Sequence, residues 1–503
     1  MCRPQRPHGE HAGIQHEKII HRIKKLMSLH DLRTHAGRSY KRRYVMTAEG
    51  AEKYAYKLVK KIRMRILDVP GAFGKVALEL GKHGAMLGDI TKVHVTTQYI
   101  TRDIVMFFDN EEQFEDTIQA IGEFKGYKIL SVEDEVLRIH KGGKVAMIPT
   151  VKMETLGDLR MIYTPGVAQA CKYIDEHPQS ASDLTSIGNS VCIATNGSAV
   201  LGLGNIGVLA GMPVMEGKSV ILHKMVGVSC VPLLIDSDHA DIIVGTLHAV
   251  AKTFSIIMIE DIAAPLCFEV EQKLQQRVPI PVFHDDQHGT ATVILATLIK
   301  TMQELGKRKE TVSIVISGAG AAGTATCKML REYGFQNMVV CDSQGAIAGT
   351  RTKHMNAYKE EIARITNAGN ETGPLKNVIK NKDIFIGVSS AYVVTQDMVR
   401  SMNKDPIVLA LANPIPEIWP HEASQAGAAF ALDGRTVNNC LAFPGLIRGT
   451  LDARATRITY PMKFAAAEAI ADLAGKREGV PNFMNPAIHR RIAEAVKAAA
   501  LTS

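Results

Sequence analysis

The sequence predicts an α/β protein: a small βαββαβ unit, then two larger α/β domains, the last with a doubly wound parallel sheet. Three observations carry this expectation. Short apolar strand-like runs alternate with amphipathic helical ones between Ile62 and Ile139. The run Val312–Ser317 leads through a glycine-rich turn into an apolar helix and then a second run, Met338–Cys341. Two further apolar runs, Phe254–Ile259 and the one from Pro281, end in paired acids. A chain of 503 residues has room for about three domains. The expected divisions are a basic extension at 1–60, the small unit at 61–140, an α/β domain at 141–288, a second at 289–463 and a helical segment at 464–503.

The charge of the chain is misleading until it is located. The net charge is +8, yet residues 1–65 hold 17 Lys/Arg against five Asp/Glu, so residues 66–503 sum to 8 − 12 = −4. That mildly acidic body argues against nucleic acid as a partner. Residues 1–45 also contain His8, His11, His16, His21, His30 and His35 and few apolar residues, the composition of a disordered tail. A targeting peptide, an anchor to an anionic surface, or a true start at Met46 are alternative readings of the same stretch. Apolar runs fall well short of the roughly 20 residues a membrane helix needs. Eight cysteines are scattered with no C-x-x-C pair, so neither a disulfide framework nor a zinc site is expected. A reducing, cytoplasmic location fits best.

The small unit reads as a strand at Ile62–Leu67, a turn with Asp68, Pro70 and Gly71, and a helix through Val76–Lys82. Strands at Met86–Thr96 and Ile100–Phe108, a helix from Glu111 to Phe124 and a last strand over Tyr127–Ile139 follow. The segment Leu67-Asp-Val-Pro-Gly-Ala-Phe-Gly-Lys-Val76, with Gly81 and Gly88, resembles an ACT domain, which implies a small-molecule effector bound at paired interfaces. A ferredoxin-like dimerisation unit without a ligand is the plainer reading.

The next domain opens on Met161-Ile-Tyr-Thr-Pro-Gly-Val167, where Thr164 can cap a helix starting at Pro165. Tyr163 would then stand beside a helix N-terminus, whose positive potential favours a phenol acting as an acid. On spacing alone it is a packed surface tyrosine. Lys218 and Lys224 read as flanking an apolar strand within Val214–Lys224, and a lysine serves as a base only when neutral. Glu260-Asp261 follows the run Phe254–Ile259 and precedes a helix expected from Pro265; Asp285-Asp286 follows the other run. Either acidic pair alone would be a helix cap. Together, four converging carboxylates would repel one another unless a hard cation, Mg2+ or Mn2+, sat among them.

Two G-x-G-x-x-G matches occur, and their surroundings separate them. Gly202-Leu-Gly-Asn-Ile-Gly207 is followed by Pro213 with no acidic strand end about 20 residues on, so it reads as structural packing. Gly318-Ala-Gly-Ala-Ala-Gly323 has the full strand–turn–helix–strand setting, with Asp342 ending the second strand. Gly318, Gly320, Ala321, Ala322 and Gly323 are therefore expected at a pyrophosphate, and Asp342 at a ribose. An aspartate there favours NAD over NADP, while the nearby Arg351 keeps a 2′-phosphate possible. Strands at Asp383–Val388 and Pro406–Leu411 place Ser389 and Asn413 at the carboxyl edge of the same sheet.

The segments Tyr-Thr-Pro-Gly-Val-Ala, Leu-Gly-Leu-Gly-Asn-Ile-Gly, Glu-Gly-Lys, Glu-Asp-Ile-Ala-Ala-Pro, His-Asp-Asp-Gln-His-Gly-Thr-Ala, Ala-Asn-Pro-Ile-Pro-Glu and Asn-Asn-Cys-Leu-Ala-Phe-Pro-Gly, in this order between residues 161 and 445, resemble bacterial malic enzymes. The resemblance implies a malic-enzyme catalytic domain ahead of a Rossmann domain, and oxidation and decarboxylation of malate to pyruvate and CO2. It implies Tyr163 as general acid, Lys218 rather than Lys224 as general base, and Asp285 as the acid orienting that lysine. It also implies Glu260, Asp261 and Asp286 as metal ligands, Asn413 and Asn439 at the substrate carboxylate, and a dimer or tetramer. Animal-type relatives carry a substrate-binding arginine where this chain has Ser198-Ala199-Val200, so the source of positive charge at the substrate is left open. An amino-acid dehydrogenase would share the dinucleotide domain but needs no second acidic pair. A catalytically silent NAD sensor would have no use for Lys218.

Overall fold

A computed structural model describes residues 57–200 and 202–502. The expected tail at 1–45, its histidines and the alternative start at Met46 lie outside the described residues. The chain divides into two compact units, one ending at Arg138 and the other starting at Ile139.

In the first unit, β1 (Leu58–Leu67) is followed by the helix Ala72–Lys82, β2 (Met86–Val95), β3 (Tyr99–Phe108), the helix Glu111–Gly122 and β4 (Lys128–Asp134). The strands form an antiparallel sheet in the order β2-β3-β1-β4. Alternation sets which face is covered: Ile62, Met64 and Ile66 on β1 point inward with Ile104, Met106 and Phe108, and meet Val76 and Leu80 of the first helix. Asn110 caps the second helix, its side chain accepting from the Gln113 N–H. The strand expected over Tyr127–Ile139 ends at Asp134. The Asp134 carboxylate accepts the Leu137 N–H at 3.0 Å and starts a short helix, Glu135–His140.

The second unit contains two parallel sheets. The first runs β6 (Ser229–Leu234), β5 (Ser190–Thr195), β7 (Ile256–Ile259), β8 (Val282–His284). The second has the order β11 (Gly345–Ala346), β10 (Asn337–Asp342), β9 (Ser313–Ser317), β12 (Ile384–Gly387), β13 (Ile407–Ala410), β14 (Phe430–Asp433), with only β11 antiparallel. From β9 the chain passes to β10 on one side and later to β12 on the other. That reversal opens a crevice at the carboxyl edge, where doubly wound sheets hold ligands. β7, β9, β12 and β13 are buried along their length, as strands covered on both faces must be.

The helix Asp285–Leu305 follows β8, and most of its residues are buried, Ala291 to Leu298 without interruption. It shares a core with Val191, Ile193 and Met258 of one sheet and Ile314, Ile316 and Leu409 of the other. Residue 288 lies inside this helix, and residue 463 inside the helix Tyr460–Leu473. The C-terminal helix Pro486–Thr502 lies against Phe443–Asp452, where Gly445 and Gly449 leave no room for a side chain: an added Cβ would sit 2.4 Å from Ile492 and 2.5 Å from the Ala493 carbonyl. Burying Ile492 there contributes on the order of 1.5–3 kcal/mol.

One element differs from expectation at the centre of the molecule. Val214–Lys224 is not a strand but part of the helix Val208–Val226, which ends on Gly227 in the left-handed conformation. Gly211, Met215, Lys218, Ser219 and Leu222 are its buried residues, spaced as one helical face, while Lys224 is exposed.

Candidate active site

The two acidic pairs meet because their strands are neighbours. β7 and β8 pair in parallel with Ile259 opposite His284, so Glu260-Asp261 and Asp285-Asp286 leave the same sheet edge side by side. Asp285 and Asp286 then occupy the first turn of a long helix, where the backbone dipole favours negative charge. Asp261 adopts a left-handed backbone (φ 53°), one that aspartate tolerates better than most residues, and its N–H donates to Asp286 Oδ2 at 2.8 Å. Ligand atoms of Glu260, Asp261 and Asp286 all lie within 4.8 Å of one another.

Lys218 reaches this cluster from the helix Val208–Val226. Its ammonium lies 2.9 Å from Glu260 Oε1 and 2.5 Å from Asp285 Oδ2, and 4.7 Å from the centre of the Phe443 ring. Desolvation opposes its charge, but Asp285 and Glu260 outweigh that and hold its pKa well above the ordinary lysine value. Burial raises the acids in turn. Glu260 stands well above the usual carboxylate range despite the lysine, Asp261 is pushed to about 7 by burial and by Asp286, and Asp285 to about 6. One lysine does not balance so many buried carboxylates.

Unpaired atoms point the same way. Among the described residues, seven buried side-chain polar atoms have no hydrogen-bond partner, and four belong to this cluster: Glu260 Oε2, Asp261 Oδ2, His284 Nε2 and Asp285 Oδ1. Free carboxylate oxygens converging from several side chains are what a hard divalent cation requires, so the residues fit such an ion.

Other expected residues are placed differently. Asn439 donates to Asp285 Oδ2 at 2.9 Å and so belongs to the cluster. The Asn413 amide turns back to the Leu411 carbonyl at 3.3 Å. Tyr163 is 66% exposed, and its side chain makes no hydrogen bond among the described residues. Its helical setting also differs: Tyr163 ends the helix Leu156–Ile162, the Gly166 N–H turns back to the Arg160 carbonyl, and the next helix begins at Val167, not Pro165. Of the glycines in 202–207 only Gly202 is close-packed, a side chain there meeting Pro414 at 2.8 Å; Gly204 and Gly207 face open space and all three take a positive φ.

The dinucleotide turn assigns a different task to each glycine. Gly318 (φ 119°) passes so close to Val388 that a Cβ would lie 2.4 Å from its carbonyl, and at Gly323 a Cβ would lie 1.9 Å from the Gly318 carbonyl. Gly320 instead faces open space and caps the helix Ala321–Tyr333, whose first turn is Ala321, Ala322 and Gly323. Gly323→Val is therefore expected to cost about 1–3 kcal/mol by overpacking and to abolish NADH binding, measured by thermal unfolding and fluorescence titration. Unchanged NADH affinity would separate this turn from the dinucleotide. Ser389 donates from its N–H (2.8 Å) and its hydroxyl (3.0 Å) to the buried Glu417, which also accepts the Ala412 N–H and so ties the ends of β12 and β13 together.

Asp342 is not a free carboxylate. Arg351 grips it through both terminal nitrogens at 2.9 and 2.8 Å, Lys359 adds a contact at 2.7 Å, and the Gln344 N–H adds another at 2.9 Å. Desolvation works against its charge, yet Arg351 and Lys359 hold its pKa down at about 2.

Comparison with known proteins agrees with this arrangement. Residues 142–275 match the malic enzyme N-terminal domain and residues 287–436 the malic enzyme NAD binding domain. NAD-dependent malic enzyme 1 of Bacillus subtilis is 39% identical over 450 residues, covering 89% of this chain and 98% of that protein. The chain belongs to the malic enzyme family. A second relative, the bifunctional malic/malolactic enzyme of Bacillus subtilis, is 46% identical over 375 residues, covering 73% of this chain and 92% of that protein. The crystal structure of the NAD-dependent malic enzyme from Thermotoga maritima superposes with a TM-score of 0.71 at 36% identity, over 73% of this chain and 99% of that one. As a malic enzyme the chain is an NAD(P)-dependent oxidoreductase whose nucleotide domain is of the Rossmann type. Among its described residues no helix is long and apolar enough to cross a membrane.

Sequence reasoning overlooked two buried polar residues, Glu271 and Lys463, and the half-buried His288 that joins them beside the acids. His288 stands within the His-Asp-Asp-Gln-His segment. A lysine in the apolar run Pro461–Ala467 was a signal, since lysine is rarely buried without a partner.

Proposed function

We propose that this malic enzyme converts malate to pyruvate and CO2 with reduction of NAD, using Mg2+ or Mn2+ held by Glu260, Asp261 and Asp286. The observation that carries the reading is the meeting of these three side chains with Lys218 at one sheet edge. When bound, the ion supplies Lewis acidity to the substrate hydroxyl and carbonyl, and the dinucleotide accepts the hydride. The acids hold Lys218 protonated in the ion-free site; a bound cation would take over its role among them, so that Lys218 in its neutral form would accept the hydroxyl proton, with Asp285, 2.5 Å away, fixing its direction. Asn439, tethered to Asp285, is positioned toward the substrate carboxylate, and Asn413 serves it from the other sheet. Tyr163 supplies the proton to C3, which requires that its exposed ring be brought to the substrate. Gly318, Gly320, Ala321, Ala322 and Gly323 receive the pyrophosphate, with Ser389 at the nicotinamide-side strand end.

NAD is the coenzyme expected from an aspartate at the ribose. Arg351 and Lys359 give the same spot a net positive charge, which supports acceptance of NADP at lower efficiency. The antiparallel βαββαβ unit supports an ACT-like effector role, and a homo-oligomer is the expected assembly. A steady-state assay with malate, Mn2+ and either NAD or NADP tests reaction and coenzyme together. Malate-dependent reduction that stops on chelation and is faster with NAD is expected; turnover unaffected by EDTA would remove the metal, and no turnover with either coenzyme would remove the reaction.

A further inference from the structure

We propose that Glu271 is a positioning residue for the cation site: with His288 and Lys463 it clamps the first turn of the helix Asp285–Leu305 and thereby sets the affinity of the carboxylate cluster for a divalent ion. The inference rests on the metal-dependent reading of the site and adds residues that touch neither ion nor substrate.

Glu271 lies on the buried side of the helix Leu266–Arg277. Its Oε2 accepts from Gln287 Nε2 at 2.8 Å, and its Oε1 accepts from His288 Nε2 at 2.7 Å and from Gln275 at 3.3 Å. His288 Nδ1 lies 3.0 Å from Lys463 Nζ. An ammonium can only donate, so His288 must accept at Nδ1 and carry its proton on Nε2, where it donates to Glu271. The result is an ion pair whose two charges are joined through a neutral imidazole. Burial keeps that ring below its usual pKa. Lys463, lowered to about 8 by burial, is still mostly protonated at neutral pH.

A buried ion pair is a poor device for stability alone, because apolar side chains of the same volume do as well or better. Its location supplies another purpose. From residue 284 to residue 288 every side chain is tethered: His284 Nδ1 accepts the Gln287 N–H, Asp285 holds Lys218 and Asn439, Asp286 holds the Asp261 N–H, and Gln287 and His288 hold Glu271. The turn bearing the two acids is thus gripped from Asp261, just after β7, on one side and from the helices that carry Lys218, Glu271 and Lys463 on the other. Without Glu271, Gln287 loses its tether, His288 is left with Lys463 alone, and the Lys463 ammonium loses its counter-charge. Rotation of that turn would spread ligand atoms that now fall within 4.8 Å.

The test is Mn2+ binding to the full chain, read by electron paramagnetic resonance of the free ion and so independent of turnover. Glu271→Ala is expected to weaken Mn2+ binding about 10–100-fold, the usual effect of losing a partner outside the ligand shell. Glu271→Gln removes the charge opposite Lys463 but keeps the shape and both hydrogen bonds once Gln287 flips its amide, so, the tethers being what set the turn, it should restore affinity to within about threefold of the parent while kcat at saturating Mn2+ stays unchanged. Folding is checked by NADH binding, and if the alanine variant does not fold, the glutamine and Glu271→Asp variants carry the comparison, aspartate being too short to hold both partners. A folded Glu271→Ala or Glu271→Asp protein with parental Mn2+ affinity overturns the inference, as does a loss of kcat with no change in affinity. A parent protein that takes up no Mn2+ sinks the metal-dependent reading and this inference together; normal parental binding with unaffected variants sinks only the latter.

Discussion

Lys218→Ala is expected to abolish malate-dependent NAD(P)H formation while leaving dinucleotide binding intact. A positioned general base is worth roughly 10²–10⁴-fold in rate, and no other lysine is placed to replace this one: Lys224 is exposed on the same helix. The variant also removes the one cationic side chain that, among the described residues, pairs with Glu260 and Asp285, so the apo form should lose stability and recover it when Mn2+ is added. Two measurements separate the roles. Stopped-flow or steady-state turnover reports the base, and NADH fluorescence reports the nucleotide site at the carboxyl edge of the other sheet. Turnover within about tenfold of the parent would exclude Lys218 as the base.

Removal of a metal ligand should have an effect of similar size by a different route. Glu260→Gln and Asp286→Asn each keep side-chain volume and remove one charge from the cluster. Partners outside a ligand shell already contribute about 10–100-fold to metal affinity, so loss of a ligand should weaken Mn2+ binding by at least the upper end of that range. Activity should fall with it and return in part at high Mn2+. Asp286 also accepts the Asp261 N–H, so Asp286→Asn should disturb Asp261 as well and be the more damaging of the two. Isothermal titration with Mn2+ decides the matter; parental affinity in both variants would place the ion elsewhere.

Much of the fold was legible because strands buried on both faces leave continuous apolar runs with sharp ends. β7, β9, β12 and β13 each fall within an apolar run read from the sequence, and the acids that follow β7 and β8 pointed to the candidate site. Val214–Lys224 was not legible. The helix carrying Lys218 is buried or half-buried on most of its circumference, so its apolar residues lack a 3.6-residue rhythm and imitate a strand. The start of the helix at Val167 was hidden because Thr164 and Pro165, good helix starters elsewhere, are taken into a turn closed by Gly166. Glu271, His288 and Lys463 could not be grouped from sequence, since nothing local announces that residues on three helices share one hydrogen-bonded chain. The neutralisation of Asp342 was half visible: Arg351 stood nearby in sequence, but Lys359 required the fold.

The helix Asp285–Leu305 begins at the acids and continues unbroken through the hydrophobic interior common to both sheets. It therefore ties the sheet that carries the carboxylate cluster to the Rossmann sheet through one shared core. A packing defect at Leu295, deep in that common core, is therefore expected to reach the acids at the head of the same rod as well as the strands beside it.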